Sequence, residues 1–189
     1  MNDKWDLGYL YEGFDDERFL SDLDSLKGDG EKLKFLLADK TVPEVKKMEM
    51  LVDESEKLSA KLDRLGTFIG CTLAVDATND KANRANDRMN MIYTELQPVF
   101  SGIERFVAGV KDLDKAIAES KALGKVGFAL REIRENAKHL IPEEIEPWIL
   151  EMQLSGGSAF SQLRDKLDST LSVDYRDEKL PLSAVRGKA

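Results

Sequence analysis

Two long apolar stripes in the middle of the sequence constrain the fold more than any other feature. Apolar residues recur in steps of three and four over residues 45–73, and they do so again over 82–110. This spacing places each set along one face of an α-helix. Only residues 76–80 separate the second stripe from the end of the first helix. The sequence therefore predicts a long antiparallel helical hairpin.

Signals for starting and interrupting helices accompany these stripes. Thr41 or Val42 is predicted to cap the first hairpin helix. Pro43 then lies in the first turn, where its missing N–H costs no hydrogen bond. Pro98 falls inside the second stripe, where proline removes a backbone bond and clashes with the preceding turn. We therefore predict a kink or break near Gln97.

Shorter helices are predicted on both sides of the hairpin. Asp15 or Asp16 caps a first helix, Gly28-Asp29-Gly30 ends it, and a short helix follows. Gly156-Gly157 is predicted to close one of the later helices. These later helices are expected at about 112–122, 125–137, 142–154 and 157–168.

The two ends of the chain differ from this helical pattern. Residues 5–14 are rich in aromatic side chains, and we expect Trp5, Tyr11 and Phe14 to press against the helices. Residues 170–175 alternate like a strand and are predicted to pair with 180–182. The fold class predicted from all these segments is all-α: an antiparallel helical bundle built on a long hairpin, with a short β-hairpin-like C-terminal tail.

Charge and cysteine content exclude several classes of function. The net charge of −8 and a pI near 4.9 argue against a nucleic-acid partner, since such binding depends on neutralising phosphates. They argue equally against anionic membranes, and no segment is apolar enough to span a bilayer. The N-terminus shows no signal peptide. One cysteine cannot form an internal disulfide and fits a reducing compartment. We predict a cytoplasmic protein.

His139 and Cys71 are the sole histidine and cysteine among the 189 residues. Sites for zinc, iron or copper usually need several such ligands, and the two-histidine spacing of a zinc peptidase is absent. His139 is best read as a residue at the end of a helix, where it faces the negative end of the dipole. Cys71 is best read as a small buried apolar residue. We therefore predict no catalytic residue, no metal ligand and no cofactor in this chain.

Two other polar segments have structural interpretations. Asp76 is predicted either to accept hydrogen bonds from the turn that follows it or to form an ion pair between helices. Gly156-Gly157-Ser158 lacks the spacing and the lysine of a phosphate-binding loop. It could instead bring backbone close to a peptide or to a neighbouring domain.

Several segments together resemble one family, the oligoendopeptidase F family of zinc metallopeptidases in the thimet-oligopeptidase-like group. The family's opening is similar to Trp5-Asp6-Leu7 with Leu10-Tyr11 and Phe14, and Phe100 and Glu104 also fit its pattern. Residues 65–78, 139–146 and 154–163 are similar to further segments of the family. All these segments occur in the family's order and with its spacing, from Trp5 to about Val173.

This resemblance implies two domains with different roles. It implies that residues 1–169 form a helical N-terminal oligopeptidase domain and that 170–189 form a short tail leading toward a missing catalytic domain. In the family, the N-terminal domain forms one wall of a deep substrate channel. The zinc ligands and the general base belong to the C-terminal domain, where a zinc-bound water hydrolyses short peptides. The implied partners are that catalytic domain and short peptides, with zinc in the full-length parent; no substrate-binding residue is assigned.

Two other interpretations remain open from sequence. The chain could be a stand-alone helical interaction module whose hairpin, residues 43–110, offers a groove to a partner helix. A self-sufficient enzyme would need the pair of His139 and Cys71. If a domain is missing, we expect an exposed apolar surface near the 142–168 helices and the 170–182 tail, which would allow the fragment to dimerise.

Overall fold

A computed structural model describes residues 6–142, 144–176, 178–181 and Val185. Within this part of the chain the fold is a bundle of α-helices with a small antiparallel sheet, as the sequence predicts. The helices are α1 Glu17–Ala38, α2 Glu44–Val75, α3 Asp80–Gly109, α4 Leu113–Glu119, α5 Lys121–Lys125, α6 Gly127–Asn136, α7 Glu146–Gln153 and α8 Ala159–Thr170. The strands are β1 Ser172–Tyr175 and β2 Glu178–Pro181.

The first helix begins as predicted but does not end where predicted. Asp16 caps α1, because its carboxylate accepts hydrogen bonds from the backbone N–H of Glu12 at 3.0 Å and of Arg18 at 2.8 Å. These bonds, with the Arg18 guanidinium, lower the pKa of Asp16 to about 2. The predicted stop at Gly28-Asp29-Gly30 is wrong, since α1 continues to Ala38. Gly30 is buried there against the side chain of Leu96 on α3.

The helical hairpin forms as predicted, with small differences at its ends. Pro43 itself, rather than Thr41 or Val42, is the cap residue of α2. Asn79 caps α3 by accepting a hydrogen bond from Ala82 N at 3.0 Å. Of the kink or break predicted near Gln97, the break is wrong, because α3 runs through Pro98 to Gly109, and the kink stays a prediction.

An aromatic cluster joins the opening segment to the hairpin. Tyr11 lies edge-to-face against Phe19 and Phe68, with ring centroids 5.2 and 5.5 Å apart, and Phe14 lies 5.0 Å from Phe68. The Tyr11 hydroxyl donates to Asp22 at 2.7 Å. The expectation for Tyr11 and Phe14 is therefore confirmed, whereas Trp5 lies outside the described residues. Helix α1 packs against both α2 and α3 and so covers one side of the hairpin.

A second core lies where the start of α2 and the end of α3 meet, at the end of the hairpin opposite its connecting turn. Buried residues of α4, α5 and α6 pack there on Met48 and Val107. Lys47 is also buried, and its ammonium donates to the carbonyl of Leu37 at 3.1 Å and lies 5.5 Å from the Phe106 ring. That bond satisfies a carbonyl in the last turn of α1. Lysine in this place therefore ties α1 to the start of α2.

The C-terminal part departs from the bundle. The predicted break at Gly156-Gly157 is wrong, because a π-helical turn, Leu154–Ser158, joins α7 to α8 without interruption. Strands β1 and β2 pair antiparallel, with Val173 opposite Leu180, which confirms the predicted tail hairpin. No helix in the described part of the chain has both the length and the apolar content of a membrane span.

Candidate functional site

We call α7, the π-helical turn and α8 together the arm, residues 146–170. The arm is anchored to the bundle at its first residue. Glu146 is 6% exposed and accepts hydrogen bonds from the hydroxyl of Ser101 and from Arg105 Nη2, the latter at 3.0 Å. Arg105 also donates to the carbonyl of Ile141 at 3.2 Å. Glu146 is the one residue of the arm that is buried. The anchor thus holds one end of the arm while the rest extends over the surface.

A second carboxylate lies beside this anchor. Burial raises the pKa of Glu104, and the negative charge of Glu146 raises it further, while Arg105 lowers it in part. One arginine therefore lies near two carboxylates at the place where the arm joins α3. This arrangement favours the protonated form of Glu104 relative to a free glutamate.

The arm exposes a line of large apolar side chains, which we call the arm stripe. Its members are Trp148, Met152, Phe160 and Leu167, exposed by 69, 72, 72 and 61%. The apolar surface predicted near the 142–168 helices is therefore present. Several large apolar side chains exposed along one helical segment mark a surface that is suited to contact with a partner.

The π-helical turn keeps the arm stripe continuous. Met152 and Phe160 are eight residues apart, which in a regular α-helix would leave them about 80° out of line. A π-helical turn takes in about one extra residue, so the same eight residues complete two full turns. Met152 and Phe160 therefore lie on one face, although Leu154–Ser158 separates their helices.

The opposite side of the arm borders a long cleft, which we call the trough. It consists of two adjoining cavities of about 1090 and 480 Å³ that share Asn86 and Gln162 in their walls. One wall is the tip of the hairpin and the first half of α3; the other is the π-helical turn and α8. Gly157 lines the smaller cavity, and no atom lies within 4 Å of the position a Cβ would take there; the predicted approach of its backbone to a peptide or a neighbouring domain stays a prediction. No member of the arm stripe lines the trough.

The trough has walls of mixed polar and apolar residues and carries excess negative charge. The carboxylates of Asp80, Asp87, Asp165 and Asp168 line it, against the single ammonium of Lys166. Asp168 forms an ion pair with Arg164, with 3.6 Å between its Oδ2 and the Nε of the arginine. Within the described ranges, Asp87 and Asp165 form no ion pair. The field in the trough therefore attracts cations and repels anions.

His139, Cys71 and Asp76, which were singled out from sequence, do not line the trough and take no part in the anchor. His139 is exposed at the end of a 3-10 turn, Ala137–His139, and Cys71 is half-buried on α2. Asp76 accepts hydrogen bonds from Thr78 N at 3.0 Å and from its hydroxyl at 2.7 Å, which confirms the turn interpretation. Over the described residues, no group of three or more His, Cys, Asp or Glu side chains has the arrangement of a metal site.

The anchor was not predicted from sequence. Glu146 is the first residue of α7, where an acidic side chain is already accounted for by the helix dipole. Ser101 lies outside the apolar stripe of α3, between Pro98 and Arg105 on a more polar face, and yet it is 1% exposed. A buried hydroxyl requires a hydrogen-bond partner.

The described part of the chain is thus a helical bundle whose arm carries exposed apolar side chains. Comparison with known families places the chain more narrowly. Residues 109–172 match the family model of the peptidase M3 N-terminal domain, described as Oligopeptidase F. The match covers about one third of the chain and includes the whole arm. It confirms the family resemblance, is consistent with the N-terminal domain of an oligoendopeptidase F-like protein, and indicates a peptidase-family protein. No curated protein and no solved structure matches the chain.

Proposed function

We propose that this chain is the non-catalytic N-terminal domain of an oligoendopeptidase F-like zinc metalloendopeptidase that hydrolyses short peptides. The zinc site would lie in a C-terminal catalytic domain, which this chain would help to enclose as one wall of the substrate channel. The protein would act in the cytoplasm, in keeping with its lone cysteine.

The observation that carries this proposal is that the open apolar face and the family match coincide. The arm stripe lies wholly within residues 109–172. An apolar row that faces away from its own bundle is suited to pack against another domain. The tail hairpin that follows the arm would then lead toward that domain. In its absence, the arm stripe is expected to drive self-association of this chain.

The test pairs this chain with a separately produced catalytic domain of the same protein. Association is measured by isothermal titration calorimetry, and turnover is measured with an internally quenched peptide. Phe160→Glu should weaken association by about tenfold or more, because it places a charge at the centre of an apolar contact. Phe35→Glu is the matched control, since Phe35 on α1 is 74% exposed and Phe160 is 72% exposed.

Two results would contradict the proposal. The first is an unchanged rate of peptide hydrolysis when the catalytic domain is saturated with this chain. The second is zinc retained stoichiometrically by the purified chain together with peptide cleavage by the chain alone. Equal loss of association in the Phe160 and Phe35 variants would show that the arm stripe is not part of the interface.

A further inference from the structure

We infer that the trough binds an extended peptide segment that carries basic side chains, and that it does so without the zinc site. The choice of a peptide as ligand rests on the proposed function, whereas the binding itself is a property of this chain alone. The trough would hold the peptide by its backbone through side-chain amides and by its charge through the acidic walls.

The dimensions of the trough suit a short extended chain. From Asp80 to Asn90 its α3 wall extends over about 15 Å of helix, at 1.5 Å per residue. An extended peptide advances about 3.4 Å per residue, so four or five residues fit along this wall. The larger cavity alone, about 1090 Å³, is at the upper end of the range of ligand sites.

Four primary amides line the trough with their hydrogen-bonding groups free. Asn86 and Asn90 project from α3, and Gln153 and Gln162 project from the arm. None of the four side-chain amides has a hydrogen-bond partner among the residues that the structure describes. Asn83 differs, because its amide donates to the carbonyls of Ala77 and Asn79. A primary amide both donates and accepts, as does each peptide unit, so two facing rows of amides can satisfy an extended backbone.

The charges of the trough select among peptides. Asp87 on α3 and Asp165 on α8 carry charge on the two opposite walls, and neither has a cationic partner in the described ranges. Lysine or arginine side chains on both faces of an extended peptide would reach one wall each, since successive side chains point to opposite sides. Acidic peptides would be repelled by the same two carboxylates.

The experiment measures fluorescence anisotropy of labelled octapeptides mixed with the full 189-residue chain. The probes alternate alanine with lysine, with glutamate or with glutamine. The lysine peptide should bind with a dissociation constant on the order of 100 µM at low salt. The glutamine peptide should bind more weakly, and the glutamate peptide should not bind at about 1 mM.

Two variants and a matched control separate the contributions. The double substitution Asp87→Asn with Asp165→Asn should lower the affinity for the lysine peptide by about fivefold and leave the affinity for the glutamine peptide unchanged. Asn90→Ala with Gln162→Ala should weaken both peptides by about fivefold. The control, Asp63→Asn with Glu132→Gln, makes the same change in net charge at exposed positions outside the trough and should leave both affinities unchanged.

Three outcomes would overturn the inference. The first is that the lysine peptide shows no binding at about 1 mM, and the second is that the control pair of substitutions weakens its binding as much as the Asp87 and Asp165 pair does. The third outcome is that spermine displaces the lysine peptide when the two are present at equal concentrations of positive charge. The last would show that cations bind without any role for the backbone. None of these outcomes depends on a catalytic domain. Failure here therefore leaves the proposed function standing, and loss of the domain association leaves peptide binding in the trough testable.

Discussion

Two glycines in the same turn of α1 are expected to respond in opposite ways to alanine. Gly28 has nothing within 4 Å of the position a Cβ would take, whereas at Gly30 a Cβ would overlap the Cδ2 of Leu96 and lie 3.6 Å from its Cγ. In a helix interior, alanine is more stable than glycine by about 1 kcal/mol. Overpacking a buried contact costs about 1–3 kcal/mol. Leu96 is 3% exposed and borders, with Gly30, a cavity of about 340 Å³, so its side chain would have to leave its packed position at a cost of about 2 kcal/mol.

The free energies of unfolding of the two variants should therefore differ by about 2 kcal/mol. Gly28→Ala should stabilise the protein by about 1 kcal/mol, and Gly30→Ala should destabilise it by about the same amount. With a urea m-value of about 2 kcal/mol per M, the two midpoints should differ by about 1 M. Urea unfolding followed by far-UV circular dichroism measures both.

A double-mutant cycle makes the reasoning refutable. In a Leu96→Ala background the obstructing side chain is gone, so Gly30→Ala should become stabilising by about 1 kcal/mol. Equal stabilisation by Gly28→Ala and Gly30→Ala in the wild-type background would show that Gly30 is not needed for the contact of α1 with α3.

Three further predictions concern ionisable groups. Glu146→Ala should cost about 1–3 kcal/mol, because it leaves the Ser101 hydroxyl and the Arg105 guanidinium without their partner; urea unfolding measures the loss, and hydrogen exchange confined to the arm would show where it acts. Glu104 has a raised pKa, so its contribution to stability is present below its unfolded value and is lost as pH rises through the folded one; Glu104→Gln should flatten the fall in melting temperature above pH 4.5. Asp16 has a lowered pKa, so its contribution is present above 3.8 and is lost as pH falls toward about 2; Asp16→Ala should lower the melting temperature at neutral pH and remove this part of the acid transition.

The helical hairpin could be predicted from sequence because its information is local. Each stripe repeats at the period of a helix, and the cap at Asn79 lies next to the helix that it starts. The same holds for the alternation in the tail strands. Patterns of this kind need no knowledge of distant residues.

The errors concern residues whose meaning depends on distant partners. Glycine usually ends a helix, but Gly30 is retained inside one because Leu96 of α3 packs directly on it. Pro98 remains inside a long helix that α1 supports from one side. In both cases tertiary packing outweighs a local propensity of a few kcal/mol at most.

The candidate site was accessible to sequence reasoning only in part. The exposed apolar side chains near the 142–168 helices could be predicted, because the family resemblance implies a partner domain beside them. The trough could not be recognised, because its amides on α3 and on the arm come from segments about 70 residues apart in the chain. The anchor at Glu146 likewise joins two helices that are 45 residues apart at the Ser101 bond.

The surplus residue in the π-helical turn makes the arm respond differently to a deletion and to an insertion. Alanine at Gly156 or Gly157 would meet no atom within 4 Å. Deleting Gly157 would remove the surplus residue, so the seven steps left between Met152 and Phe160 would turn about 700° in a regular helix and keep the two side chains within about 20° of one another. Inserting one residue would instead rotate Trp148 and Met152 by about 100° relative to Phe160 and Leu167. In related chains, single deletions here should therefore be more frequent than single insertions.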